Sequence, residues 1–304
     1  GITKKIKEGY FTDLGINAIW FTPVVEQVHG PVDEGTGVTY GYHGYWTKDW
    51  TALDPNFGTK QDLKELIKTA HTNDIRIVMD VVLNHTGPVT EQDPFWGADW
   101  ARENPNCAFS TYENTTQCSL VENLPDILTE SKEEVTLPAT LVEKWKNEGR
   151  YEEEIAELDA YFISNNLKKT PRNYIIKWLT DYIREYGIDA FRVDTTKHVD
   201  EESWVVLRAQ ADKAFADFKT NNPDLVLDDT DFFMFGEVYN YSVDGGLAYD
   251  FGDKKVNYFK NGFDNLINFQ FKYDAQGSYE SLFHKYATIK DSLFKDKSFV
   301  NYAT

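Results

Sequence analysis

Along the chain the hydrophobic positions change period repeatedly. Residues 2–15 (ITKKIKEGYFTDLG) carry apolar groups at helical spacing and end on Gly15, which predicts a helix. INAIWFTPV (16–24) is a continuous apolar run interrupted by Pro23, as expected of a buried strand. Residues 24–58 lose periodicity and are rich in Gly and Tyr, which predicts loop. Thr59, with Asp62 three positions on, reads as a capping box opening a helix to about residue 73. IRIVMDVVLNH (75–85) is a β-branched run that ends in polar residues and predicts a second strand. Residues 86–138 are irregular and polar, and 139–165 are charged with helical spacing. NYIIKWLTDYIREYG (173–187) is an amphipathic helix closed by a glycine. Then follow a strand in GIDAFRVDTTKHV (187–199), a helix over 201–220, strands in DFFMFGEVYN (231–240) and LINFQFKY (266–273), a helix over 278–294 and a strand in SFVNYAT (298–304).

Strands that alternate with helices imply a parallel sheet, and nearly all-apolar strands imply that both its faces are covered. A doubly wound open sheet and a barrel both satisfy this. The polar residues favour the barrel: Asp80, Asn84, His85, Asp194 and Glu237 all fall at or just past the C-terminal ends of strands, where barrels of this kind build their active sites. GTGVTYG (35–41) is no phosphate-binding glycine fingerprint and does not join a strand to a helix. The fold class is therefore α/β, a (β/α)8 TIM barrel from 1–85 and 173–304. Residues 86–172 are too long for an ordinary connection and predict an inserted domain over the barrel mouth, after the third strand of the full barrel.

Composition narrows the partners. The 304 residues carry a net charge of −19, which argues against nucleic acid and anionic membranes. No apolar run is long enough to span a bilayer, and no basic-then-apolar leader pattern is present. Aromatic residues make up 15%, more than a core alone requires, so part of them is expected to line a surface that meets flat rings such as sugars. Cys107 and Cys118 lie 11 apart in a polar segment; a disulfide, suited to an oxidising compartment, and two free thiols both fit.

GIDAFRVDTTKHV poses the chemical question, because it places charges inside a buried strand. Side chains alternate along a strand, so Arg192 and Asp194 share a face. A guanidinium beside a carboxylate lowers its pKa, which predicts a permanently anionic Asp194. Glu237, among Phe233, Met234, Phe235 and Val238, is expected to shift upward, as a proton donor requires. Such a pair at one rim matches glycoside hydrolysis, while Arg192 and Asp194 alone would also fit a structural salt bridge.

These residues resemble the α-amylases of glycoside hydrolase family 13. DVVLNH (80–85), DAFRVDTTKH (189–198) and FGEV (235–238) are similar to three of that family's conserved regions; LPDI (124–127), YHGYW (42–46) and LDPNFGT (53–59) resemble other family segments. LVEKWKNEGRYEEEIAELDAYF resembles the inserted region of bacterial periplasmic α-amylases. The resemblance implies cleavage of internal α-1,4 bonds in starch or maltodextrins with retention. Asp194 would be the nucleophile, Glu237 the acid/base and Arg192 the group keeping Asp194 ionised. His85, Tyr45, His43, Lys197, His198 and Asp80 would line the sugar site. Asn84, Asp126 and the His198 backbone carbonyl would hold a structural Ca²⁺, for which hard oxygen ligands are suited. An α-glucan is the implied partner and the periplasm or exterior the implied location, with the cytoplasm open. An exo-acting α-glucosidase, a transglycosylase and a catalytically dead sugar-binding relative are the alternatives. The family's third acid follows its seventh strand, here SFVNYAT, so it is expected beyond Thr304. The first and eighth strands are likewise expected outside this chain, which by itself should be weakly active or inactive.

Overall fold

The computed structural model describes residues 1–35, 37–295 and 297–301. Six strands form one parallel sheet in chain order: Ala18–Phe21, Arg76–Val81, Ala190–Val193, Phe233–Gly236, Asn265–Asn268 and Val300–Asn301. The sheet curls into part of a barrel. Among the described residues its two outermost strands each have a single neighbour. Register aligns the polar positions: Asp80 lies opposite Arg192, and Arg192 opposite Phe235.

The two faces of the sheet are filled differently. Ile77, Met79, Val81, Phe191, Val193, Met234 and Leu266 join the main core under the helices. Val78, Ala190, Phe235 and Ile267 form a small cluster of their own. Alternation puts Asp80, Arg192 and Asp194 on the face of that second cluster. Lys60–Thr72 begins with the expected capping box, Thr59 accepting from the Asp62 N–H while Asp62 reaches back. Pro171–Tyr186 ends on Gly187, left-handed at φ 80°, where a Cβ would lie 2.3 Å from the Phe218 ring. His71 and the Ile77 N–H both donate to Asp189 at the strand's other end, a structural role.

Several elements depart from the sequence pattern. Residues 2–15 form two short helices, broken at Gly9 (φ 77°), and 139–165 break between Asn147 and Tyr151 around Gly149 (φ 72°). LINFQFKY is strand only to Asn268, and Phe271–Asp274 turns helical. The presumed loop 24–58 contains a seven-residue strand, Thr47–Leu53, paired antiparallel with Val25–Gln27. Charged Lys48 and Asp49 disguised it, and Asp49 is itself fully buried against Lys144 and Arg150. In SFVNYAT only Val300–Asn301 is strand, and Tyr302–Thr304 lie outside the described residues. Part of the aromatic excess goes inside, six of eight tryptophans being buried, while Tyr42 and Tyr239 among others stay exposed. Trp96, Trp100, Trp145 and Trp178 pack with centroids 5.1 to 6.4 Å apart, tying the excursion between the second and third strands to the helix behind the sheet. Each such ring contributes up to about 3 kcal/mol by burial.

Candidate active site

Backbone ladders carry the acids to the rim. The Asp194 N–H donates to the Val81 carbonyl at 2.9 Å, and the Glu237 N–H to Val193 at 2.9 Å. The ladder thus runs one residue past each strand and fixes both Cα atoms. Chain direction then changes abruptly. Thr195 is left-handed (φ 46°), a costly conformation for a β-branched residue, and starts the turn Thr196–His198. The turn aims the Thr195 N–H at Glu237 Oε2 (3.2 Å), while the Thr196 N–H donates to the Glu237 carbonyl (3.0 Å). Gly236 is required, because a Cβ there would lie 2.8 Å from Thr196 Oγ1 and 2.9 Å from the Phe263 ring.

One guanidinium joins three carboxylates. Arg192 Nη1 donates to Asp80 at 2.9 and 3.0 Å and to Asp194 Oδ1 at 2.8 Å, and Nη2 lies 3.0 Å from Glu237 Oε2. Asp80 also accepts from Tyr45 Oη (2.9 Å) and Trp20 Nε1 (3.1 Å), whose rings flank the guanidinium. Burial pushes Asp80 up to about 7, against the pull of Arg192. Burial also raises Glu237, as expected of a donor; Arg192 opposes this and the Asp194 charge adds to it. The expectation of a lowered Asp194 pKa is corrected: burial shifts it upward and outweighs Arg192. A single positive charge shared among three carboxylates cannot offset their desolvation. The carboxyls of Asp194 and Glu237 lie within hydrogen-bonding reach of each other, with Glu237 the partner shifted upward by that contact.

The other sequence candidates surround this cluster. His43 Nδ1 accepts from the Tyr45 N–H at 3.0 Å, and its ring stacks on Tyr45 at 5.7 Å, so it shapes the loop that delivers Tyr45. His85 is buried: Nε2 donates to the Tyr45 carbonyl (3.2 Å), Nδ1 accepts from Asn84 Nδ2 (3.1 Å), and burial pushes its pKa down to about 4. Lys197 Nζ donates to the Tyr239 carbonyl and Tyr249 Oη (3.2 and 3.3 Å) and sits over both rings. His198 Nδ1 lies 3.1 Å from the Thr115 carbonyl, which only accepts, so Nδ1 carries the proton.

Asn84 and Asp126 are adjacent through the Ile127 N–H, which donates to the Asn84 carbonyl at 2.8 Å. Asn84 Oδ1 and Asp126 Oδ2 are both buried without a hydrogen bond, although Arg102 Nε is 3.3 Å from the latter. Among the described residues no three His, Cys, Asp or Glu side chains converge as a metal site. A cation here would rest on one carboxylate with amide and backbone oxygens.

Trp20, Tyr239 and Tyr249 escaped the sequence reading. Trp20 was accessible to it, since alternation puts a residue near that strand's C-terminal end on the inner face. Tyr249 was not, because it arrives on a separate hairpin, Tyr249–Asp250 with Lys255–Val256. Cavities of about 420 and 700 Å³ lie away from these acids, between the excursion and its neighbours. Of the acids, Asp80 and Asp194 are buried and Glu237 is partly exposed.

Residues 1–302 match the family described as alpha amylase, catalytic domain. The chain belongs to that family. It is 32% identical over 339 residues to the periplasmic alpha-amylase of Escherichia coli (strain K12), covering 93% of this chain and 46% of that protein. To the alpha-amylase of Streptomyces lividans it is 31% identical over 314 residues, 92% of this chain and 30% of the relative. The chain thus spans less than half the length of either. The Anoxybacillus alpha-amylase structure superposes with a TM-score of 0.65 at 24% identity, covering 95% of this chain and 50% of that one. That of Geobacillus thermoleovorans, complexed with acarbose, gives 0.65 at 22%, covering 96% and 51%. These amylase-family structures share the barrel fold.

Proposed function

We propose that this amylase-family chain carries the catalytic pair of a hydrolase that cleaves internal α-1,4-glucosidic bonds of starch or maltodextrins with retention. The observation that carries the reading is the contact of Asp194 and Glu237 with opposite arms of Arg192. Two carboxyls held on one guanidinium favour the separation of about 5–5.5 Å that goes with a covalent intermediate over the about 6.5–9.5 Å that goes with direct hydrolysis. Glu237 protonates the glycosidic oxygen as an Asp194 oxygen attacks the anomeric carbon; the C–O bond breaks and the chain beyond it leaves as an alcohol. Glu237, now a carboxylate, takes a proton from water, whose oxygen displaces Asp194 and restores both acids.

Tyr45 offers its ring face to the sugar, with Asp80 and His43 setting its orientation and His85 beneath it. Lys197 and His198 meet the leaving-group side. Residues 86–172 act as the inserted domain. Asn84, Asp126 and the His198 carbonyl would hold Ca²⁺, which supplies a structural tie between insert and barrel; Asn84 Oδ1, buried without a hydrogen bond, fits that demand, and Asp126 would bring the carboxylate that now faces Arg102. Cys107 and Cys118 form a disulfide, which suits export to an oxidising compartment. No described helix is long and apolar enough to cross a membrane.

Glu237→Gln in the natural full-length protein tests the reading. Turnover of maltoheptaose falls about 10²–10⁴-fold while sugar affinity is kept; unchanged turnover refutes it. Cyclomaltodextrin glucanotransferase of Bacillus sp. (strain 1011), 37% identical over 38% of this chain, favours glycosyl transfer as a second reading. Product chromatography separates them: mixed linear oligosaccharides for endo-hydrolysis, glucose for exo-cleavage, cyclic or elongated products for transfer.

A further inference from the structure

We infer that the Cys107–Cys118 disulfide is a positioning element of the leaving-group side of the site, acting through Lys197 and His198. The inference rests on the hydrolase reading above. The disulfide closes a loop whose ends are also held by the Ser119 N–H on the Pro105 carbonyl (3.0 Å). Inside it, Thr111 caps the short helix Tyr112–Thr116, and Thr115 and Thr116 are buried.

Two chains of contact leave this loop, and both end at the site. One is direct: the Thr115 carbonyl accepts a hydrogen bond from His198 Nδ1–H, and the Phe109 ring packs edge-on against the imidazole at 4.8 Å. That fixes ring orientation and tautomer, and leaves Nε2 with a free lone pair. The other chain runs through Tyr112. Its N–H donates to Asp253 Oδ1 at 2.8 Å, its ring packs on Phe251 at 5.3 Å, and its hydroxyl binds Glu201. Phe251 packs on Tyr249, and Tyr249 supports the Lys197 ammonium. Neither sulfur touches sugar or reacting atoms, so these cysteines position other residues.

Opening the disulfide lets the segment lose the register that serves both contacts. Neither chain of contact reaches Asp80, Tyr45 or Arg192 directly. The expected defect is therefore in binding rather than in bond cleavage.

The test uses the natural full-length protein as oxidised wild type, as Cys107→Ser/Cys118→Ser, and as wild type reduced by a dithiol and then reoxidised. Reduction moves two electrons and two protons from the dithiol, whose own sulfurs join, onto Cys107 and Cys118. Well below any unfolding transition, KM for maltoheptaose should rise about tenfold in the double variant and the reduced enzyme, with kcat within about twofold. Reoxidation should restore it. Amide exchange at Thr115 and Thr116 should accelerate in the same samples. Unchanged KM with only a lower melting temperature overturns the inference and leaves the disulfide a stability element. Absence of turnover in oxidised wild type counts against the hydrolase reading instead; amide exchange then decides, faster exchange confined to 107–118 and 249–256 supporting the coupling and unchanged exchange overturning it.

Discussion

Replacing Arg192 with Leu removes the cation that touches Asp80, Asp194 and Glu237 at once. The side chains of Asp80, Asp194 and Glu237 are 0, 10 and 23% exposed. Breaking a buried pair by deleting one partner costs about 3–5 kcal/mol, because a desolvated charge is left behind. The variant can limit that cost by taking up protons, at about 1.4 kcal/mol for each pKa unit and group. Burial already sets all three pKa values above their unfolded values, and loss of Arg192 raises them further. A group with a raised folded pKa contributes stability that is present below its unfolded pKa and lost as pH climbs through the folded one. The penalty should thus grow with pH, from about 1 kcal/mol near pH 4.5 to about 4 kcal/mol near pH 8. Urea unfolding followed by tryptophan fluorescence at three pH values measures it. Arg192→Lys should recover part of the stability but lack the second arm that reaches Glu237. A loss in Arg192→Leu that is independent of pH, or under about 1 kcal/mol at pH 8, would refute the shared-charge account.

Gly236→Ala drives a methyl against Thr196 and Phe263; it should cost about 1–3 kcal/mol in a thermal melt and lower kcat by displacing Glu237. Asp49→Asn strips Lys144 (2.6 Å) and Arg150 (3.1 Å) of a buried partner, for a loss of about 3–5 kcal/mol at pH 7 in urea titration. Burial alone would raise Asp49, but Lys144 and Arg150 hold it below the ordinary carboxylate value. Its contribution is therefore present above the unfolded pKa and disappears as pH falls through the folded one, so the variant's deficit should shrink on acidification. Chelation of Ca²⁺ should lower the melting temperature, by the equivalent of about 2.7 kcal/mol for a site held at a hundredfold its Kd, and Asn84→Ala should abolish that response. Opening the 11-residue separation of Cys107 and Cys118 should cost about 3 kcal/mol in reversible unfolding, from loop entropy.

The sheet was legible because its strands are short, apolar on both faces and separated by capped helices; Thr59 with Asp62 and Gly187 behaved as their chemistry requires. The acids were legible because a charge in such a strand has few benign explanations. Asp194's titration was not, because sequence showed Arg192 beside one aspartate and hid its sharing with Asp80 and Glu237 from two other strands. Thr47–Leu53 was masked by charges whose partners lie about a hundred residues away: Asp49 binds Lys144 and Arg150. Spacing left the cysteines undecided, since only the turn around Tyr112–Thr116 brings their Cα atoms to 5.8 Å.

Asp80 and Arg192 are direct neighbours across adjacent strands although 112 residues separate them along the chain. Everything between leaves the sheet at one seam and returns at the next. Closing an excursion of that size is cheap to extend, since doubling its length adds only about 0.6 kcal/mol of entropy. Material can therefore be gained or shed in that stretch while the acids keep their places, provided Asn84, Asp126 and the buried tryptophans still meet the barrel. An evolving lineage could reshape what sits above the rim without touching the chemistry beneath it.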